Sequence, residues 1–463
     1  MTERRKTIIF ILFLLTVISL KSFLFRFDNL DEIWHYNLCR GITFGALPYR
    51  DINIVGMPLY YFIFALPLFI TRKLFAYRIA EVILIFLCSM MIFFIVKKEC
   101  GFGYSVVSAL IPCIFTDITS YNNLLFLFVL LLYIVNKLDS SFKRNLLLGI
   151  LTALAVWSRQ TTGFIVLIAE IIYLIIESRK NKTKLQGIIH FSFGFIGINL
   201  IFLIYLLATS TFFAFWDYCF FGLVNYSNVL DQSDLWGIPM VVMVTVLLIA
   251  ECFLLMKQNF LRTLNHFLLT LALLTVSIPT IDMSHTIFAF SMVSITFMWI
   301  VKLNISSTLK PYIGWGAAAV LVITIVKALI PLFNNISFDS NCSELYLIPM
   351  NGAETGFVAV NDRNQIYKAQ GYDVIVLSSC SAIISIYDGT FNPPYDLFLV
   401  GSFGTHDPVD IVRDICGKDK TIIVMPDDYN DECWMNPRGV YECVVEHCTP
   451  IDQVGRFVYY VPN

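Results

Sequence analysis

Eleven apolar runs divide the first 333 positions of this chain: 7–25, 77–96, 102–118, 122–136, 145–157, 162–177, 185–208, 237–256, 264–279, 286–301 and 312–333. A helix rises 1.5 Å per residue, so about 20 apolar residues match the hydrocarbon thickness of a bilayer. Several runs are shorter, yet their number and regular spacing leave lipid as the solvent for most of the molecule. Only 14% of residues are charged and mean hydropathy is +0.73, far from the roughly 25% charged content of a soluble domain. A net charge of −2 with no concentrated basic surface excludes a nucleic-acid partner. The run after MTERRK is longer than a signal-peptide core and carries no small-residue cleavage site, so it reads as a retained first span.

Loop charge sets the topology. Arg4, Arg5 and Lys6 start one series, and alternate loops continue it with Lys97 and Lys98, then Lys137, Lys143 and Arg144, then Arg179, Lys180, Lys182 and Lys184. Lys257 and Arg262, then Lys302 and Lys310, complete it. Cations stay cytoplasmic, so this phase is the inner one. Counting the run 57–71 as a span would invert the later loops. It is short and contains Pro58 and Pro67, which suits an interfacial or re-entrant helix. Residues 26–76 then form one large external loop.

The other face collects acids: Asp28, Asp31, Glu32, Asp51, Asp117, Asp217, Asp231, Asp234 and Asp282. Solvated loop acids are the ordinary explanation, above all for Asp28, Asp217, Asp231 and Asp234. Acids against apolar helix ends are costlier and mark substrate sites.

From residue 334 the chain becomes mixed in polarity, with 18 acidic residues against 7 Lys and Arg. The expected organisation is a membrane domain, 1–333, and a soluble extracytoplasmic α/β domain, 334–463. Strands are expected at 373–379, 395–403, 421–428 and 456–462, with a helix over 408–417, an alternation that suits a parallel layer. This part has no Gly-rich phosphate loop and no nucleophile elbow. Its six cysteines either pair, with Cys433, Cys443 and Cys448 as the open combinations, or remain buried thiols. No Cys or His spacing fits structural zinc.

The chemistry concentrates in FDNLDEIWHYNLCRGITFGALPYRDINIVGMPLYY, residues 27–61. Asp31 and Glu32 are either a reactive acidic pair or acids favoured by the dipole in a first helical turn. Trp34, His35 and Tyr36 suit an interface belt. Tyr49, Arg50 and Asp51 form a second polar group, in which Arg50 is also free to pair with Asp51 at the surface.

These features resemble the class C membrane glycosyltransferases, specifically bacterial relatives of protein mannosyltransferases and aminoarabinose transferases that use polyprenyl-phosphate sugars. Asp31-Glu32 is similar to the family's acidic pair in the first external loop, and LPYRDINIVGMPLYYF to the segment that follows it. AVWSRQTTG (155–163) resembles its basic-Gln-Thr corner, TIDMSHTIFA (280–289) its late Asp-x-x-His segment, and PPYDLFLVGSFG a segment of its external domain. The implied fold is a multi-span α-helical membrane protein of about eleven transmembrane helices with a C-terminal extracytoplasmic α/β domain. The implied activity is transfer of a sugar from a polyprenyl-phosphate donor to an envelope glycan, lipid or protein, at the outer side of a bacterial cytoplasmic membrane.

Such a transfer needs a base near the anomeric carbon and positive charge at the departing phosphate. Asp31 is the expected base, with Glu32 orienting the acceptor or a metal. Arg159, beside Gln160, is the expected phosphate partner, or else a snorkelling cation. Asp282 and His285 either bind substrate or cap a helix. Asp117 is either a second carboxylate or a turn residue. A divalent cation (Mg, Mn or Ca) is an optional cofactor, with Asp31 and Asp117 as ligands. The family comparison favours inversion at the anomeric carbon. Two other classes stay open: a lipid-linked-sugar flippase, kept alive by Glu81, Glu170 and Glu251 in or near spans, and a polysaccharide polymerase or ligase.

Overall fold

The computed structural model describes residues 2–24, 27, 29–115, 121–182, 186–227, 237–256, 259–278, 280–304, a few helical residues between 319 and 326, 337–338, 349–350, 354–393, 395–429 and 436–463. Ten of the eleven expected spans are helices. The eleventh, 312–333, lies almost entirely outside the described residues.

In chain order the helices are α1 (Glu3–Leu24), α2 (Leu30–Thr43), α3 (Leu59–Ile70), α4 (Leu74–Cys100), α5 (Phe102–Phe115), α6 (Tyr121–Val135), α7 (Phe142–Ser158), α8 (Gln160–Lys180) and α9 (Gln186–Ala208). They continue with α10 (Phe212–Trp216), a π-helical turn over Asp217–Gly222, α11 (Leu223–Ser227), α12 (Gly237–Leu255), α13 (Phe260–Leu274) and α14 (Met283–Asn304). The C-terminal part adds α15 (Glu354–Ala369), α16 (Ser381–Tyr387), α17 (Pro408–Cys416) and α18 (Val440–His447). Its strands are β1 (Ser337–Phe338), β2 (Pro349–Met350), β3 (Asp373–Val376), β4 (Thr421–Pro426), β5 (Cys448–Val454) and β6 (Phe457–Pro462).

Among the described residues seven helices are long and apolar enough to cross a membrane, which makes the chain a multi-pass membrane protein. The expected spans 102–118, 122–136 and 145–157 are shorter helices of 14, 15 and 17 residues. The run 57–71 is a helix of only 12 residues, too short to cross.

The chain divides into two compact units: 1–25, 78–204 and 231–334 in the first, 26–77, 205–230 and 335–463 in the second. In the first unit, glycine permits close helix approach. A Cβ on Gly149 would lie 1.9 Å from the Phe191 carbonyl oxygen, and one on Gly194 would lie 2.1 Å from that of Leu146, so α7 and α9 pack backbone to backbone. Buried polar pairs tie other helices. Arg144 bridges to Glu177 at 2.8 Å, and Asn136 donates to Glu170 at 2.9 Å and to Asn265 at 3.0 Å. His266 meets Glu251 at 2.8 Å, where Thr296 also donates.

The second unit holds a four-stranded sheet in the order β3-β4-β6-β5. The β3–β4 pair is parallel, but β4–β6 and β6–β5 are antiparallel, so the expected parallel layer is a mixed sheet. For β6–β5 the reason is the two-residue turn Gly455–Arg456, with Gly455 at φ 58°. So short a connection joins only antiparallel strands.

The expected strand 395–403 is a 3₁₀ turn, Tyr395–Leu397, followed by further turns. Side chains there satisfy the backbone locally. Ser402 accepts from the Leu399 amide (3.1 Å) and donates to the Leu397 carbonyl (2.7 Å), while Gly401 adopts φ 82°. The expected helix 408–417 is α17, entered from Asp407, whose side chain accepts from the Val409 amide.

Candidate functional site

Helix α2 carries the acidic pair. Asn29 caps it by accepting from the Asp31 amide at 2.9 Å, which puts Asp31 and Glu32 in the first turn, where the helix dipole favours carboxylates. The adjacent acids diverge: Asp31 is exposed, whereas Glu32 is 1% exposed. Trp34 and Tyr36, expected in an interface belt, are buried instead. The Trp34 indole donates to the Ser379 carbonyl at 2.8 Å, and the Tyr36 hydroxyl to the carbonyl of Arg72. Positions 34 and 36 lie on opposite sides of the helix, so both are buried because α2 is enclosed by protein on more than one face. His35 sits between the rings of Tyr60 and Tyr61, at 5.4 and 5.6 Å, and burial pushes its imidazole down to about 4. It is therefore neutral at physiological pH.

The turn after α2 holds Tyr49, Arg50 and Asp51. Tyr49 is buried in a left-handed conformation (φ 68°), and its hydroxyl donates to the Gly56 carbonyl at 2.9 Å. Burial raises its phenol well above the ordinary range. Arg50 pairs with Asp51 at 2.7 Å, and Asp51 also accepts from the Leu47 amide. The Arg50 hydrogen bond holds the Asp51 carboxyl below its ordinary value.

In the first unit the sequence motifs converge at one helix corner. Arg159 is the single residue between α7 and α8, extended at φ −154°, and only 8% exposed. Its guanidinium donates to the Asn122 side chain and to the Val276 carbonyl (3.0 Å), and lies 5.5 Å from the Tyr121 ring centroid. It is held by protein partners and does not snorkel outward. Gln160, the first residue of α8, is buried beside it.

The residue after Val276 is Ser277, whose hydroxyl meets Thr286 at 2.9 Å; Thr286 in turn donates to the Asp282 carbonyl at 2.7 Å. Arg159 and the Asp282–His285 segment therefore share one corner. Asp282 Oδ1 accepts from the His285 amide (2.7 Å), capping α14, and Oδ2 meets His285 Nδ1 at 2.7 Å. Burial acts to raise the Asp282 carboxyl, but the His285 and Ser284 bonds together outweigh it and leave it below the ordinary value. Both side chains are part-exposed, 22% and 26%, so the pair reaches solvent. Asp117 lies outside the described residues, as do Asp28, Asp231 and Asp234.

Among the described residues no three His, Cys, Asp or Glu side chains converge as metal ligands. Asp31 and Glu32 point to different environments and do not by themselves make such a set. The described tail cysteines are unpaired. Cys443 and Cys448, offered above for pairing, share the hydrophobic core with Cys416, whose thiol burial pushes up to about 12. Cys342 and Cys433 lie outside the described residues.

Sequence reasoning missed a buried polar network in the second unit. Asn37 Nδ2 donates to Asp396 Oδ2 at 2.9 Å, and Arg40 donates to Asn37 Oδ1 (2.9 Å) and to the Thr390 carbonyl (2.5 Å). The signal was present: Trp34, Asn37 and Arg40 recur every third residue, and Asp396 interrupts an otherwise apolar run.

This architecture is the class C glycosyltransferase fold. Among solved structures, ArnT from Cupriavidus metallidurans, an aminoarabinose transferase, matches at TM-score 0.59 in its apo state, with 11% identity over 99% of this chain and 98% of that one. The same ArnT bound to undecaprenyl phosphate matches at TM-score 0.61 with 12% identity and equal coverage. The Archaeoglobus fulgidus oligosaccharyltransferase in complex with zinc and sulfate matches at TM-score 0.51 and 10% identity, over 98% of this chain and 73% of that chain. No family model and no curated protein sequence matches the chain.

Proposed function

We propose that this protein is a membrane glycosyltransferase moving a sugar from a polyprenyl-phosphate donor to an extracytoplasmic acceptor: an envelope glycan, lipid or protein. The observation that carries the reading is the fold shared over nearly the full length with an ArnT bound to undecaprenyl phosphate. Parity of the cationic loops supports an outward-facing loop 26–76 and an outward-facing domain 334–463.

In this reading the acceptor hydroxyl oxygen bonds to the anomeric carbon as the carbon–oxygen bond to the phosphate breaks, inverting that centre. Asp31, exposed at the head of α2, takes the hydroxyl proton, and Glu32 orients the acceptor or a metal. The lipid phosphate leaves with its negative charge neutralised by Arg159, whose planar guanidinium suits phosphate oxygens. The Asp282–His285 pair binds the phosphate or the sugar, and Arg50–Asp51 with Tyr49 shapes the acceptor side. Where a divalent cation is bound, Asp31 and Asp117 are its proposed ligands, Asp117 lying outside the described residues. Glu170 and Glu251 are bonded to Asn136 and His266 as ties between helices, which weighs against a flippase that moves its cargo past them.

The test is purified protein in lipid given a radiolabelled polyprenyl-phosphate sugar and acceptor extracts. Asp31→Asn is expected to lose about 100- to 10,000-fold in turnover, the usual yield of a general base. Arg159→Ala should lose about 100- to 1,000-fold, as when a transition-state donor is removed. Full transfer by Asp31→Asn removes the base assignment, and lipid movement without transfer supports the flippase.

A further inference from the structure

Helix α2 is locked to the C-terminal part of the second unit along one face. Trp34, Asn37 and Gly41 follow at intervals of three and four residues, so they line a single stripe. Trp34 donates to the Ser379 carbonyl at 2.8 Å. Gly41 lies so close to the Phe391 ring that a Cβ there would fall 2.4 Å from its Cζ. Between these contacts sits Asp396, 3% exposed, in the turn that replaces the expected strand. Its Oδ1 accepts from the Ser385 hydroxyl (2.5 Å), and its Oδ2 from the Asn392 amide (2.8 Å) and from Asn37 (2.9 Å). Arg40, fully buried, extends the network to Asn37, to the Thr390 carbonyl and to the Ser385 carbonyl at 3.5 Å.

Apolar packing would hold a helix without fixing its rotation or its axial position, whereas directional bonds to buried charged groups fix both. Asp396 is an expensive residue to bury, and burial raises its carboxyl above the ordinary range. What its bonds hold in register is the helix whose first turn carries Asp31 and Glu32, fewer than two turns away from Asn37.

We infer that Asp396, acting through Asn37 and Arg40, is a positioning residue that clamps α2 to the C-terminal domain and so aims Asp31 at the reacting centre. The inference rests on the glycosyltransferase reading for its functional half; the clamp itself is a statement about α2. The C-terminal domain then contributes to turnover without touching substrate.

The test compares the native full-length protein with Asp396→Ala, Asp396→Asn and the surface control Asp410→Asn in the transfer assay, with hydrogen exchange followed over residues 30–43. Asp396→Ala is expected to lower kcat about 10- to 100-fold, the scale of a small misplacement of a catalytic group, with donor KM little changed. It should also lose amide protection in α2. Asp396→Asn, which retains an acceptor oxygen, should recover part of both, and Asp410→Asn should match the native chain. If Asp396→Ala folds with native kcat and native protection in α2, the clamp is wrong. Reduced yield or melting temperature at unchanged kcat reduces it to a scaffold and also overturns it. A native chain that transfers no sugar would sink the glycosyltransferase reading; the exchange data then decide the clamp alone.

Discussion

Asp51 is held both by the side chain before it and by the backbone of its own turn. Arg50 bonds it through two nitrogens, and the Leu47 amide adds a third donor. The guanidinium bond holds its carboxyl below the ordinary value. A carboxyl with a depressed folded-state value binds fewer protons folded than unfolded. Its stabilisation is therefore complete above the unfolded value of about 4 and is lost as pH falls through the folded value. The Arg50 side chain is 55% exposed, so solvent screens the pair and leaves its contribution small. Asp51→Asn should lower the melting temperature slightly at pH 7, and the difference should close as the medium is acidified toward pH ~3. A gap that persists at low pH would assign Asp51 to packing. The acids were legible in the sequence as an external population, but adjacency along the chain could not reveal that Glu32 is buried while Asp31 is exposed.

At the scale of elements, periodic hydrophobicity located the helices because lipid requires every backbone group to be bonded within its own segment. Their contacts were less legible. Gly149 and Gly194 look like any membrane glycines in the sequence, yet each leaves no room for a Cβ, whereas Gly197 has open space. Gly149→Ala should destabilise the α7–α9 pair by about 1–3 kcal/mol, the cost of overpacking, read as a fall in detergent melting temperature. Gly197→Ala should leave it unchanged. Equal behaviour of the two variants would mean that α7 and α9 do not pack as described. The run 395–403 is the complementary case. It is apolar enough for a strand, but Asp396 and Ser402 draw the local bonds and turn the chain, and composition cannot show which competitor for the backbone wins.

At the scale of the molecule, loop 26–76 and the tail looked like separate regions because some 260 residues intervene. They fall in one compact unit with residues 205–230. Asp217 accepts from the Thr405 amide at 3.0 Å, Asn225 donates to the Gly404 carbonyl at 3.0 Å, and Asn53 donates to that of Leu397 at 3.2 Å. Truncation after residue 333 should therefore destabilise the first loop as well as remove the tail, seen as new protease cuts within residues 26–76. Native cutting in the truncated chain would contradict that dependence. Protease added outside intact cells should reach the tail; protection of the tail until the cells are lysed would reverse the topology and move the proposed chemistry to the cytoplasmic side.

The sequence by itself determined a multi-span helical chain, the alternation of cationic loops and the class of fold, because hydrophobic length and charge bias act on each segment independently of the others. Only the tertiary structure decided that Arg159 shares a corner with Asp282 and His285, and that α2 is held by Asp396. Those outcomes depend on directional bonds between segments far apart in the chain, a property that no local pattern encodes.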